Sequence, residues 1–252
     1  MNKRLHAIIL GLGMAFATPH TAAADLIFDA NLGGVAGSGL GTVSTILTMQ
    51  SPGSGTFESG SVERSSGADV KSDTGVLANG GTTNVGNVKT GASQTLTRTL
   101  GGNGITKASQ IAIVFNADEP SGNSIALTGL QLSVFNGDTD IFDAHLAASV
   151  TFATTFTGIG KEGFVFRLDS AEAAALQALL NLLTPAAVAA LRLGLSASAS
   201  DATGGPETFN VATITAVPVT LTATPEPGTL LFAVTALVGL SFLAWRRQKK
   251  TF

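Results

Sequence analysis

Short segments in which apolar side chains alternate with polar ones run through the middle of this 252-residue chain, separated by clusters of Gly, Ser, Asn and Asp. Residues 111–115 are apolar throughout, as in a strand that is buried on both faces. Short segments with a period of two predict a mainly β fold, an antiparallel β-sandwich. The clearest one-sided faces are Val150, Phe152, Thr154 and Phe156; Phe164, Phe166 and Leu168; and Phe209 and Val211.

The stretch 125–135 changes phase once. Ile125 and Leu127 have one parity, whereas the next three aliphatic residues, Leu130, Leu132 and Val134, have the other. An extra residue in one strand shifts its facing by one position, so a bulge or kink at Thr128-Gly129 would bring all five to the core. Asn136-Gly137 tolerates positive φ, so we expect a hairpin with Ile141-Phe142 in the return strand.

A helical insertion at about 170–192 interrupts the β pattern. Ser170 is a candidate N-cap and Glu172 suits a first turn. Thr184-Pro185 resembles a second cap followed by a first-turn proline, opening a short helix that runs to Leu191. We expect this insertion to close one end of the sandwich. The leucines at helical spacing that would face the core are Leu176, Leu179, Leu180 and Leu183.

Residues 50–109 are rich in Gly, Ser, Thr and Asn and have few large apolar side chains. Such a composition predicts long loops and edge strands of the β domain, or partial disorder.

The N-terminus has the three parts of a secretory signal peptide. Lys3 and Arg4 give a positive start, an apolar helical stretch follows, and Ala22 and Ala24 are the small residues that a signal peptidase requires. The apolar part is shorter than the roughly 20 residues that span a bilayer. We therefore predict that residues 1–24 form a signal helix and that cleavage occurs before Asp25.

The C-terminus has the pattern of a membrane anchor. Residues 228–245 contain no charged side chain and, as a helix, would span about 27 Å, close to a hydrocarbon core. This predicts a single transmembrane helix at 228–245. The basic tail that follows would remain in the cytoplasm as a stop signal: Arg246, Arg247, Lys249 and Lys250.

Just before the apolar stretch stands the tripeptide Pro225, Glu226 and Pro227, in which the two prolines fix φ and oppose helix formation. The order of tripeptide, apolar helix and basic tail resembles the PEP-CTERM sorting signal, here residues 224–252. The resemblance implies recognition by exosortase, a membrane enzyme that processes such tails in Gram-negative bacteria, often beside exopolysaccharide and biofilm genes. It makes residues 25–223 a β-rich extracytoplasmic domain.

Charge excludes one class of partner. All 17 acidic residues lie between Asp25 and Glu226, but only eight of the 14 basic residues do. Because this stretch is negative, it would repel the phosphates of a nucleic acid, and no nucleic-acid partner is expected.

Catalytic motifs are absent from the sequence. After Asp25 the chain has one histidine, His145, and no cysteine, and it has no Gly-x-Ser-x-Gly elbow. The glycine-rich run 33–41 does not fit Gly-x-Gly-x-x-Gly and is interpreted as a loop. These features predict a protein that is not an enzyme and needs no cofactor.

One group of oxygen donors has ligand character: Asn136, Asp138, Asp140 and Asp143 surround a turn, as calcium loops require. The pattern departs from an EF-hand, because Ile141 stands in the position of the tight-turn glycine and no closing Glu follows. An ordinary solvated acidic turn is therefore the preferred interpretation.

The sequence thus predicts a protein exported across the inner membrane of a Gram-negative bacterium. It would first be a membrane-anchored precursor and then a cell-surface or extracellular protein, structural or adhesive in the exopolysaccharide layer. Signal peptidase and exosortase would process it, and exopolysaccharide is a possible ligand. The alternatives are a carbohydrate- or calcium-binding β-sandwich and a carboxylate-based glycoside hydrolase using Asp138, Asp140 and Asp143.

Overall fold

The computed structural model describes residues 25–32, 44–51, 55–91, 93–153 and 163–214. These residues form a mainly β structure, as predicted, with two short helices. The strands are β1 (Asp25–Phe28), β2 (Ser44–Met49), β3 (Phe57–Ser65), β4 (Ala68–Ser72), β5 (Gly75–Val76), β6 (Thr82–Thr83), β7 (Arg98–Thr99), β8 (Ile111–Asn116), β9 (Ser124–Asn136), β10 (Thr139–Leu146), β11 (Val150–Ala153), β12 (Gly163–Leu168), β13 (Arg192–Ser200) and β14 (Glu207–Thr213); the helices are α1 (Ser170–Leu180) and α2 (Pro185–Ala190).

Twelve strands form one curled sheet. Its order is β2-β14-β8-β12-β1-β10-β9-β13-β3-β4, with β11 paired to β9 and β7 paired to β13. The curl brings β2 against β3, so that Gly60 of β3 faces Leu47 and Met49 of β2. The β1–β10 pairing is parallel, which departs from the predicted antiparallel arrangement; the other strand pairs of the described residues are antiparallel.

The predicted bulge is confirmed. In the β9–β13 ladder Gly129 pairs with Ser198 and Leu127 pairs with Ala199, so Thr128 is the extra residue. All five aliphatic side chains on the two sides of the phase change are buried in one core. The bulge thus keeps a long central strand facing inward along its length.

A second layer covers the other face of β9 and β13. The two-stranded β5–β6 sheet lies there, and a methyl group on Gly129 would be only 1.8 Å from the Val76 carbonyl oxygen. Gly75 approaches the Ala197 carbonyl in a similar way. Because both faces of β13 are covered, its residues 193–199 are all buried.

The predicted hairpin is present with a small shift. Asn136 and Thr139 pair, so the turn residues are Gly137 and Asp138, and only Gly137 has a positive φ, 63°. Ile141 and Phe142 lie in the return strand β10, as expected.

The predicted helical insertion is present as α1 and α2. Its first cap is Asp169 and not Ser170, because the Asp169 Oδ1 accepts a hydrogen bond from the Glu172 N–H at 2.7 Å. Thr184 caps α2 with Pro185 at its start, as predicted. Leu176 and Leu180 are fully buried, whereas Leu179 and Leu183 are half-buried, since the two helices lie on the surface of the core.

Residues 50–109 contribute more than loops and edges. β3 lies between β13 and β4 inside the sheet, and β7 pairs with β13.

The strand predicted from Val150 to Phe156 is described only as far as Ala153, so Thr154 and Phe156 lie outside the described residues. The glycine-rich run 33–41, the signal helix 1–24 and the anchor 228–245 also lie outside them. In the part of the chain that is described, neither helix has the length and hydropathy to cross a bilayer.

Candidate functional site

All but one of the residues predicted to direct sorting and export lie outside the described residues. They are Pro225, Glu226, Pro227, Ala22, Ala24, Arg246, Arg247, Lys249 and Lys250. The exception is Asp25, the first residue of β1. Its carbonyl oxygen accepts a hydrogen bond from the Asp169 N–H at 3.1 Å, and its Cα is in register with His145 of β10. The residue that would become the N-terminus after the predicted cleavage therefore belongs to β1.

The acidic hairpin does not gather its oxygen donors at one point. Asp138 belongs to the turn, and its two carboxylate oxygens accept hydrogen bonds from the Gly67 N–H at 3.0 and 2.8 Å. The Arg64 Nε lies 3.9 Å from the same carboxylate. Asp138 thus ties the β9–β10 turn to the β3–β4 turn, and Asn136 is exposed at the end of β9.

Asp140 and Asp143 are the two hairpin carboxyl groups that do meet. The Asp143 Oδ1 accepts hydrogen bonds from the Ser133 hydroxyl at 2.5 Å and from the Gln131 side-chain amide at 2.9 Å. Burial, and then the negative charge of Asp143, raise the pKa of Asp140 to about 6. Asp140 therefore takes up a proton in mildly acidic solution.

This geometry limits the chemistry of the hairpin. The described residues contain no group of three His, Cys, Asp or Glu side chains arranged to hold a metal ion. Glycoside hydrolases separate their two carboxyl groups by about 5 to 9.5 Å to admit a sugar or water, whereas Asp140 and Asp143 are within hydrogen-bonding reach of each other. Ser133 donates to Asp143, and no hydrogen bond within the described structure connects Ser133 with His145, as a Ser-His-acid triad would require.

Sequence analysis missed a second acidic cluster, which we call the buried glutamates: Glu58, Glu119 and Glu207 are each at most 2% exposed. Glu119 is fully satisfied, because its carboxylate accepts from the Thr203 N–H and hydroxyl, both at 2.7 Å, and from the Gly204 N–H at 3.2 Å. It thereby holds the 201–206 loop against the end of β8.

Glu58 and Glu207 form a carboxyl pair inside the sheet. The Glu58 Oε1 accepts from the Ser51 N–H at 2.6 Å, but its Oε2 and both Glu207 oxygens have no donor among the described residues. The two side chains are within hydrogen-bonding reach, and burial, followed by the contact with Glu58, raises the pKa of Glu207 to about 11. A proton on Glu207 supplies the missing donor, because a protonated carboxyl can donate to Glu58. The period-two pattern that places Phe209 and Val211 on the core side could have revealed Glu207, two residues earlier on the same face.

The helical insertion borders a cavity of about 430 Å³. Its walls are largely apolar, with Ile105, Leu180 and Val188 among them. Its amides are already engaged, since the Gln177 Oε1 accepts from the Ala108 N–H at 3.0 Å and its Nε2 donates to the Asn181 Oδ1 at 2.8 Å. The Gln177 side chain therefore connects α1 to the segment that precedes β8.

Comparison with protein-family models, with curated proteins and with solved structures finds no match to this chain. The class that the fold itself defines is a mainly β domain with a curled sheet and a helical insertion.

Proposed function

We propose that this chain is an exported protein of the bacterial cell surface or extracellular matrix, sorted by exosortase through a PEP-CTERM signal. The observation that carries the proposal is the order of the signals along the chain. Lys3, Arg4 and an apolar stretch precede Ala22 and Ala24, and Pro225, Glu226 and Pro227 precede the uncharged stretch 228–245 and the basic tail. A domain placed between two removable signals is what such sorting requires.

The finer fold assignment, an antiparallel β-sandwich, is part of the proposal. The single strand path curls until β2 faces β3, which supports a sandwich, a fold in which two sheet halves pack across one core. Nearly all its strand pairs are antiparallel, which supports this assignment.

A structural or adhesive role, and not catalysis, is the activity that we propose for the domain. The hairpin carboxyl groups are engaged by Gly67, Ser133 and Gln131, and the buried glutamates have no access to solvent. No phenylalanine side chain of the described residues is exposed, which leaves little aromatic surface there for stacking on a sugar ring.

Intact-mass analysis of the protein recovered from cells and medium tests the sorting proposal, in a Gram-negative host with and without exosortase. We expect a mature form from Asp25 to about Pro225 when the enzyme is present and a form that ends at Phe252 when it is absent. Glu226→Ala should also preserve the C-terminal segment, whereas Glu63→Ala, an exposed glutamate of the domain, should leave processing unchanged. Recovery of wild type ending at Phe252 in the exosortase host would reject the proposal.

A further inference from the structure

Two arginines line one small cavity in this otherwise acidic protein. The cavity measures about 210 Å³, and Arg98 and Arg192 line it together with Ser44, Thr97, Thr99 and Asn103. The two arginines lie on adjacent strands, because β7 pairs with β13, with Arg192 in register with Thr99 and Arg98 with Leu193.

Each guanidinium is fixed by the backbone or by a hydroxyl. The Arg98 Nε donates to the Thr45 carbonyl at 2.6 Å. The Arg192 Nε donates to the Thr97 hydroxyl at 2.6 Å, and its Nη2 donates to the Thr97 carbonyl at 2.9 Å. The two terminal nitrogens of Arg98 and the Nη1 of Arg192 have no hydrogen-bond acceptor within the described structure. These donors are held in place but remain available.

The nearest carboxylate, Asp69, is shared among several arginines. Its Oδ1 forms ion pairs with the Arg64 Nη1 at 3.2 Å and with the Arg192 Nη2 at 4.0 Å, so its single negative charge does not balance both cations of the cavity. Burial, and then the charge of Arg192, lower the pKa of Arg98, and Asp69 opposes them only in part. Two cations that repel each other across a cavity favour an anion between them.

We propose that Arg98 and Arg192 form a binding site for a small oxyanion, a carboxylate, phosphate or sulfate group, in the cavity that they line. Guanidinium groups match the planar, bidentate geometry of such anions. The cavity is smaller than the roughly 300–1,000 Å³ of ordinary small-molecule sites, so it takes a free anion or the charged end of a larger molecule. The negative charge of the domain disfavours an extended polyanion. Anion binding at this cavity is independent of how the chain is sorted.

Calorimetric titration of the full-length protein at low ionic strength tests the site, with inorganic phosphate, inorganic sulfate and glucuronate as probes and glucose as the neutral control. We expect saturable binding of at least one anion and no binding of glucose. Glucuronate binding without phosphate or sulfate binding would indicate a carboxylate site; the opposite result would indicate a site for a tetrahedral anion.

Variants locate the binding. Arg98→Gln and Arg192→Gln should each weaken the affinity at least about tenfold, because each removes a charge-assisted hydrogen bond. Lys89→Gln removes a cation outside the cavity and should change the affinity less than about twofold.

Arg98→Lys is the control for a folding defect, since it keeps the positive charge and a hydrogen-bond donor for the Thr45 carbonyl. This variant should bind the anion more weakly than wild type and more tightly than Arg98→Gln. If neither Arg98 variant folds, Arg192→Gln decides. Equal affinity of wild type and the folded glutamine variants, equal binding of glucose, or no anion binding in wild type at about 5 mM, where ionic strength is still low, would each overturn the proposal.

Discussion

A carboxyl group that is removed from water needs a cation, a set of donors or a proton. Among the buried glutamates, Glu119 has a set of hydrogen-bond donors, whereas Glu207 has a proton. Glu119 receives hydrogen bonds from Thr203 and Gly204, whereas Glu207 has only another carboxyl group beside it. Neighbouring acids of one cluster thus behave differently because one backbone loop reaches only one of them.

The raised pKa of Glu207 predicts that the free energy of unfolding falls as the pH rises. Its pKa in the folded state, about 11, lies above the ordinary value of 4.5. The folded state therefore holds a proton that the unfolded state releases, so this contribution is fully present below about pH 4.5 and declines as the pH rises toward 11. Glu207→Gln keeps a donor for Glu58 and cannot ionise, so its free energy of unfolding should fall less between pH 7 and pH 9 than that of wild type.

Denaturant unfolding at pH 7, 8 and 9 measures this difference, which amounts to at most about 1.4 kcal/mol per pH unit for one proton. The range begins at pH 7 because the pKa of Asp140, about 6, lies below it. Glu63→Gln, an exposed glutamate, should retain the slope of wild type. Identical slopes for wild type and Glu207→Gln would contradict the shared proton.

Among the elements, the β9 bulge requires a glycine at position 129. A Cβ on Gly129 would enter the space of the Val76 carbonyl, so Gly129→Ala should lower the free energy of unfolding by about 1 to 3 kcal/mol. Its neighbour provides the control: the Thr128 hydroxyl is buried without a hydrogen-bond partner, and Thr128→Val should be neutral or stabilising. Thermal unfolding of both variants checks the prediction, and an unaffected Gly129→Ala would mean that β5 can move away.

The N-cap of α1 gives a second prediction at this scale. Asp169→Ala removes the acceptor for the Glu172 N–H and should lower the free energy of unfolding by about 1 kcal/mol. Asp169→Asn keeps the acceptor and removes a charge that, after burial, helps to raise the pKa of Glu172, so it should be as stable as wild type or more stable. Equal destabilisation by both substitutions, measured with urea, would assign the effect to the charge instead of the cap.

Local patterns predict the elements that have strong side-chain signals. The phase change at Thr128 predicts the bulge, and Thr184-Pro185 predicts the start of α2. β13 could not be predicted in this way, because its alternation of Ser and Ala carries little hydrophobic contrast and its burial comes from β5 on one face. The cavity lined by Arg98 and Arg192 could not be predicted from the sequence either, since it depends on the pairing of β7 with β13, which no local pattern encodes.

At the scale of the whole molecule, aromatic side chains connect strands that are distant in sequence. The Phe152 ring stacks on Phe164 with centroids 3.9 Å apart and contacts Phe28 at 5.0 Å and Phe166 at 6.1 Å. Strands β1, β11 and β12 thus meet at this one ring.

Phe152→Ala should therefore lower the free energy of unfolding by about 3 to 5 kcal/mol, as expected for a buried phenylalanine whose cavity does not collapse. Phe57 is half-buried and belongs to none of the ring pairs, so Phe57→Ala should have a distinctly smaller effect. Denaturant unfolding of the two variants checks the difference, and similar losses would contradict the prediction.

The position of β1 also fixes an order of events during synthesis. Among the described strands, β1 leaves the ribosome first, and its Leu26 lies between Leu146 and Leu168, which are made much later. β1 cannot pair on both sides until β10 and β12 have been synthesised, so the strand that is made first is among the last to join the sheet. A peptidase that cuts before Asp25 would have this whole interval in which to act on a still extended substrate.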